Sequence, residues 1–215
     1  MADKIFTLED ITSVLKQVAA DIKGRAEELR ELDAVVGDGD LGITIELAGN
    51  AMLTFLETAS VNHIGELLMK CGMNINKASP STFGTLLAAA FLGAARASVN
   101  KKETTADDLA LMGTSAVDGI KARGKADVGD KTMLDSLVPA VDAFKDALKN
   151  KSDLSQALDA AVKASEAGMW ATVKMQAKHG RASRHQAGTV EIRDGGATAM
   201  YYLIDSFSRH MKAFM

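Results

Sequence analysis

Between Leu32 and Thr44 the chain reads L-D-A-V-V-G-D-G-D-L-G-I-T, which puts Asp33, Asp38 and Asp40 close together with Gly37, Gly39 and Gly42 interleaved. Carboxylates this near one another repel, and like charges sharing a site push some of their pKa values up. The chain must either solvate all three or neutralise them with a cation. Glycines allow a sharp turn and the close approach of a ligand. Hard oxygen donors suit Mg²⁺ or Ca²⁺, and Mg²⁺ commonly combines carboxylates with substrate phosphates. The chemistry this pattern predicts is a magnesium–phosphate site. Its competitor is a solvated acidic turn between helices.

Two familiar readings of the stretch fail. An EF-hand loop starting at Asp38 needs oxygen ligands and a glycine where Gly42 and Ile43 stand, and a glutamate where Gly49 stands. The spacing Gly37-x-Gly39-x-x-Gly42 matches a dinucleotide fingerprint, which requires a preceding strand. Here the preceding E-E-L-R-E-L-D reads as helix. Further on, Gly124-x-x-x-x-Gly129-Asp130-Lys131-Thr132 narrowly misses a Walker A loop, with Asp130 inserted before the lysine, and also lacks its strand. Asp130 is instead expected to cap a helix starting at Lys131, and Pro139 to kink that helix. No two of the four histidines have metal-ligand spacing. His63 and His210 read as surface or helix-end residues, while His179 and His185 stand in a basic loop where they could touch a ligand. No nucleophile elbow is present. Cys71 lies on the apolar helical stripe Val61, Ile64, Leu68, Cys71, Ile75 and reads as a buried structural thiol.

The elements that must position these residues are nearly all helical in period. Thr7 with Asp10 forms a capping-box pattern ahead of Ile11, Val14, Leu15, Val18 and Ile22. A second helix is expected just after Asp40, so that the acidic loop sits at its amino end, where free N–H groups can meet a phosphate. A third spans about Val61 to Lys77. The stretch N-K-A-S-P-S-T-F-G supplies N-cap residues Ser79, Ser81 and Thr82 for an apolar helix from Thr85 to Arg96. The same amides and hydroxyls could form a phosphate nest, but pattern alone favours the cap. Thr105 and Asp108 open a further helix. Ser152 is expected to cap one that could extend to Lys178. The segment Lys178 to Ala197, rich in Arg181, Arg184, His185, Arg193 and Asp194, is the longest loop, a length uncommon unless functional. A last helix carries Met200, Leu203, Ile204, Phe207 and Met211. About eight helices result.

With 47% hydrophobic and 25% charged residues, the 215-residue chain is expected to form one domain spanning 1–215. A net charge of −3 provides no basic field for nucleic acid or an acidic membrane. Asp3, Lys4, Glu9 and Asp10 interrupt any apolar leader, and the longest apolar run is too short to span a bilayer. The expected location is the cytoplasm.

Four stretches together resemble the L subunits of dihydroxyacetone kinases: L-D-A-V-V-G-D-G-D-L-G, A-S-P-S-T-F-G, R-G-K-A-D-V-G-D-K-T-M-L-D-S-L-V-P-A, and K-H-G-R-A-S-R-H-Q-A-G with R-D-G-G-A-T-A. Their order and spacing match, and the resemblance covers essentially the whole chain. It implies an all-α fold, an eight-helix up-and-down antiparallel barrel with a nucleotide at one end. It implies that Asp33, Asp38 and Asp40 hold two Mg²⁺ ions and that Leu41, Gly42, Ile43 and Thr44 meet the phosphates of ADP (or ATP). Ala78 and Ser79 would form a second phosphate loop, and Gly124 and Met133 would lie around the adenosine. Arg181 with Asp194, Gly195 and Gly196 would supply the remaining nucleotide contacts. Two departures stand out: Leu41 where members often carry His or Thr, and Asp194-Gly195-Gly196-Ala197 where D-P-G-A is usual.

The partner implied is a ketose-binding K subunit. In a phosphoenolpyruvate-dependent system, a phosphocarrier protein would also dock and rephosphorylate bound ADP. Oligomeric state is open, a homodimer included. Two alternatives follow: the nucleotide half of an ATP-consuming triose or tetrose ketose kinase, and a nucleotide-loaded protein that docks to a transcription regulator.

Overall fold

The structure, a computed structural model, describes residues 4–180, 182–183 and 190–215. Among these residues the chain forms nine α-helices: α1 (Leu8–Lys23), α2 (Ala26–Ala34), α3 (Asp40–Glu57), α4 (Ile64–Ala78), α5 (Thr82–Ala97), α6 (Ala106–Gly124), α7 (Leu134–Lys149), α8 (Leu154–Ala171) and α9 (Gly195–Lys212). Two short strands, β1 (Phe6–Thr7) and β2 (Glu103–Thr104), pair antiparallel and tie the start of α1 to the start of α6.

Local chemistry explains most helix starts. Full capping boxes open α1 (Thr7, Asp10), α6 (Thr105, Asp108) and α8 (Asp153, Gln156). His63 caps α4, its Nδ1 accepting the Glu66 N–H at 3.1 Å. Ser81 caps α5 and Asp194 caps α9. Three expectations need correction. Asp153 rather than Ser152 caps α8, because its carboxylate reaches the Gln156 amide at 2.8 Å. Helix α8 ends at Ala171 and tightens into a 3-10 turn, Thr172–Lys174, well short of Lys178. Helix α7 starts at Leu134, and Asp130 does not cap it. Its carboxylate is held instead by Lys178 at 2.7 Å and by the Asp127 N–H at 2.8 Å.

The eight long helices form a closed ring. Each packs on its successor, with α1 meeting α3 directly, and α9 returns to pack against α1. Apart from the α8–α9 connection over 172–194, connections between consecutive helices are mostly short, which makes neighbours antiparallel. This is the eight-helix barrel implied by the resemblance, with α2 added as a short ninth helix that packs mainly on α3. The seam between α1 and α9 is polar: Asp21 accepts from Ser206 Oγ at 2.8 Å and from Arg209 at 3.0 Å, and contacts His210 Nε2 at 2.9 Å.

The predicted apolar stripes face inward. Ile11, Val14, Leu15, Val18 and Ile22 are all buried, as are Ile64, Leu68, Cys71 and Ile75. Burial pushes the Cys71 thiol up to about 12, so it stays protonated and inert. Inside the ring lies an apolar cavity of about 280 Å³, lined by residues including Leu15, Leu68, Phe91, Met112 and Phe144. At the crossing of α7 and α8, Pro139 lacks the N–H that would bond the Asp135 carbonyl. Gly168 packs on that carbonyl so closely that a Cβ would lie 1.9 Å from its oxygen. No helix among the described residues is long and apolar enough to cross a membrane.

Candidate functional site

The acidic turn links the last turn of α2 to the first turn of α3. Helix α2 carries Asp33, Gly37 and Gly39 bend the chain, and Asp40 opens α3. The bend demands both glycines. The Gly37 N–H bonds the Asp33 carbonyl at 2.6 Å, and a Cβ there would sit 2.6 Å from Asp33 Oδ1. Gly39 has φ +73°, the left-handed region where glycine is unstrained. Gly42 then lets α3 approach α2, since a Cβ would come within 2.3 Å of the Ala26 carbonyl oxygen.

This bend brings one oxygen from each of Asp33, Asp38 and Asp40 within 4.8 Å of one another. Asp38 is exposed, while Asp33 and Asp40 are half-buried. Partial burial, and secondarily the Asp33 charge, raise the Asp40 carboxyl above its ordinary value. Asp33 Oδ2 accepts the Leu41 N–H at 3.4 Å, which aims the carboxylate at the start of α3. Three hard oxygens at this separation, carrying mutual repulsion, fit a divalent cation.

Four helix N-termini converge around this cluster. Thr44 Oγ1 of α3 donates to Ser81 Oγ, the cap of α5, at 2.9 Å. A Cβ on Gly195 would lie 2.8 Å from Leu41 and 4.0 Å from Asp33 Cβ, so α9 begins against α3. A Cβ on Gly196 would be 3.5 Å from the Met133 amide of the α7 start and 3.7 Å from Phe83 of α5. Each N-terminus presents amides without intrahelical acceptors and a partial positive charge. Together they surround the aspartates with groups suited to anions.

The other sequence-predicted residues sit nearby or shape this end. Ala78 is half-buried, and Ser79 is buried with both its N–H and its hydroxyl donated to the Ile75 carbonyl. Ser79 therefore fixes the turn between α4 and α5. Ile43 points outward and is 54% exposed, whereas Thr44 and Met133 are buried. Gly124 ends α6 beside Leu86, one turn into α5. Asp194 accepts the Ala197 N–H at 2.7 Å. Burial, with the Asp135 and Asp33 charges, pushes its carboxyl up to about 7 against the opposing effects of that N–H and Lys131. His179 is exposed and contacts Asp130 at 3.3 Å. Arg181, Arg184 and His185 lie outside the described residues.

Two residues escaped the sequence reading. Asp135, fully buried, accepts from the Gly129 amide at 2.6 Å and the Thr132 amide at 2.7 Å, fastening the loop before α7. The spacing Thr132-x-x-Asp135 repeats the pattern that identified Thr7 with Asp10, and could have revealed it. Lys131, also buried, bonds three backbone carbonyls from distant segments. No local pattern announces that.

Residues 35–209 match the DAK2 domain, a span that includes Asp38 and Asp40 and begins just after Asp33. The chain belongs to the DAK2 domain family. It is 31% identical over 179 residues to the ADP-binding subunit DhaL of the PEP-dependent dihydroxyacetone kinase of Escherichia coli, covering 83% of this chain and 85% of that subunit. It is also 31% identical to the corresponding subunit of dihydroxyacetone kinase 2 from Listeria innocua, covering 93% of each. Its fold matches the crystal structure of the dihydroxyacetone kinase from C. freundii in complex with AMP-PNP and Mg²⁺, with a TM-score of 0.72 and 22% identity. That match covers 96% of this chain but spans only 35% of the larger kinase.

Proposed function

We propose that this chain is the ADP-binding, phosphoryl-transferring L-type subunit of a dihydroxyacetone kinase, a phosphotransferase to an alcohol group. The observation that carries this reading is the gathering of three aspartate oxygens within 4.8 Å at a junction of helix N-termini. Near full-length likeness to two bacterial subunits of that description supports it.

In this reading Asp33, Asp38 and Asp40 hold Mg²⁺, with two ions the expected number. Bound Mg²⁺ would neutralise phosphate charge, which is most of what phosphoryl transfer asks of a protein. The chain's own groups bind and orient. In this reading the first turn of α3, Leu41 through Thr44, lies against the phosphates of ADP or ATP, with the Ala78–Ser79 turn beside it. Gly124 and Met133 border the adenosine. Asp194, Gly195 and Gly196 bring the α9 N-terminus to the nucleotide, and Arg181 supplies a fixed positive charge. Leu41 packs on Gly195, so the side chain at this position serves packing.

The acceptor ketose would be held on a separate K subunit. A phosphocarrier protein would renew the nucleotide if the donor is phosphoenolpyruvate. The deciding experiment is to dialyse freshly purified protein overnight against excess ATP and Mg²⁺, denature it, and identify the released nucleotide. Stoichiometric ADP that survives dialysis is the expected result and marks a captive cofactor. Freely exchanging ATP would point to an ATP-consuming kinase. Absence of any nucleotide, with no ligand-induced rise in Tm, would overturn the assignment.

A further inference from the structure

The G-D-K-T stretch that falls short of a P-loop has a different use in this fold. Lys131 is 3% exposed, and its Nζ donates to the carbonyls of Thr172 at 2.8 Å, Met175 at 3.1 Å and Ile192 at 2.7 Å. An ammonium has three donors, and each of these carbonyls can accept from one. Burial lowers its pKa, while the Asp194 charge nearby opposes the change. A buried cation persists only where partners compensate its lost hydration.

The backbone at Lys131 has φ +60°, a conformation that is strained for any residue carrying a Cβ. A turn needing only that backbone would be served better by glycine, as at Gly129, whose φ is +91°. The side chain, not the turn, therefore accounts for a lysine here.

These three acceptors belong to two segments. Thr172 and Met175 lie at and just after the 3-10 turn that ends α8, at the negative end of the helix dipole; the Thr172 carbonyl also accepts the Met175 N–H at 3.0 Å. Ile192 lies two residues before Asp194, the cap of α9. The same segments meet through Glu191 N–H to the Val173 carbonyl at 2.8 Å and Asp194 N–H to Thr172 Oγ1 at 2.9 Å. Lys131 itself stands on the loop that Asp135 fastens to the start of α7.

We propose that Lys131 is a positioning residue for the nucleotide site: its ammonium clamps residues 172–175 to residues 190–194 and so sets the α9 N-terminus against Leu41 and Met133. The nucleotide part rests on the function proposed above; the clamp does not.

The test compares Lys131→Met, which removes the charge at similar volume, with Lys131→Gly, which also relaxes the backbone. Three readouts are taken: hydrogen exchange of the 190–194 amides, emission of Trp170, and affinity for Mg·ADP. Trp170 is the only tryptophan, and the Arg193 guanidinium lies 5.5 Å from its ring centre, so its emission reports on this segment. Both variants are expected to keep wild-type helical circular dichroism, to exchange faster at 190–194, and to change Trp170 emission. Both should bind Mg·ADP about tenfold or more weaker. A general loss of stability would lower Tm without this local pattern.

If Lys131→Gly retains wild-type exchange and affinity, only the backbone matters and the proposal is wrong. Faster exchange with affinity unchanged also overturns it, because the clamp then positions nothing for the ligand. Should Lys131→Met fail to fold, Lys131→Gly, free of strain, decides alone. If the wild-type protein binds no Mg·ADP, the function above falls, and unchanged exchange would additionally sink the clamp while faster exchange upholds it.

Discussion

Asp38 is the most exposed of the three clustered aspartates. Its contribution to the fold is therefore small, and in the proposed function its carboxylate serves to hold the cation. Asp38→Asn is expected to retain its helical spectrum and a Tm at least equal to wild type in metal-free buffer, since one of three mutually repelling charges is gone. Mg²⁺-dependent phosphoryl transfer, assayed with the partner subunit present, should fall about 100-fold or more, the scale of losing a direct electrostatic contact with the reacting group. Transfer at the normal rate would remove these aspartates from the metal site. The aspartates were legible in the sequence because like charges among glycines have few structural uses. Lys131 was not, since the Thr172, Met175 and Ile192 carbonyls it bonds lie 41, 44 and 61 residues away. Asp130 was misread for a related reason: Lys178 and His179, remote in sequence, compete for its carboxylate.

Helices α2 and α3 carry the site between them, and Gly42 sets their separation. Gly42→Ala would drive a methyl to 2.3 Å from the Ala26 carbonyl and 2.6 Å from Arg30 Cβ. The two helices must part, at a destabilisation of about 1–3 kcal/mol typical of overpacking. Because Asp33 rides on α2 and Asp40 on α3, Mg²⁺ affinity should fall together with Tm; calorimetric titration showing wild-type affinity would contradict this coupling. The loop before α7 has a pH-dependent fastening. Lys178, the Asp127 N–H and His179 hold the Asp130 carboxyl down at about 2, below its ordinary 3.8. A depressed carboxylate stabilises fully above the unfolded value, and its contribution disappears as pH falls through the folded one. Acid titration of Tm should therefore show a loss between about pH 4 and 2 that is smaller in Asp130→Asn, by no more than about 1 kcal/mol for an exposed pair. Helix existence and most caps were readable from T-x-x-D spacing and apolar period. The C-terminal end of α8 was not, because it is held by Lys131 from a remote segment, whereas the start of α7, fastened by Asp135 to the Gly129 and Thr132 amides, follows a local T-x-x-D spacing that was open to reading.

Across the whole molecule, the site is where the ring's helices are counted together. The α3, α5, α7 and α9 N-termini meet there through Thr44–Ser81, Leu41–Gly195 and Met133–Gly196. The ring closes only when α9 returns to α1, where Asp21 gathers Ser206, Arg209 and His210. Neither junction could be read from local sequence, although the number of long helices could. A ligand bound among four helices drawn from around the ring must dissociate before any of them unfolds. Its binding energy therefore adds to global rather than local stability. At about 100 times its Kd, Mg·ADP should stabilise by about 2.7 kcal/mol. For a chain of this size that corresponds to a Tm rise of roughly 5–11 °C. A chelator should abolish most of the rise at the same ADP concentration, because the aspartates then repel the phosphates they otherwise hold through the metal. Asp38→Asn should lose most of it as well. An equal rise with and without the divalent ion would mean that the helix N-termini alone bind the nucleotide, and the aspartate cluster would have to be assigned another role.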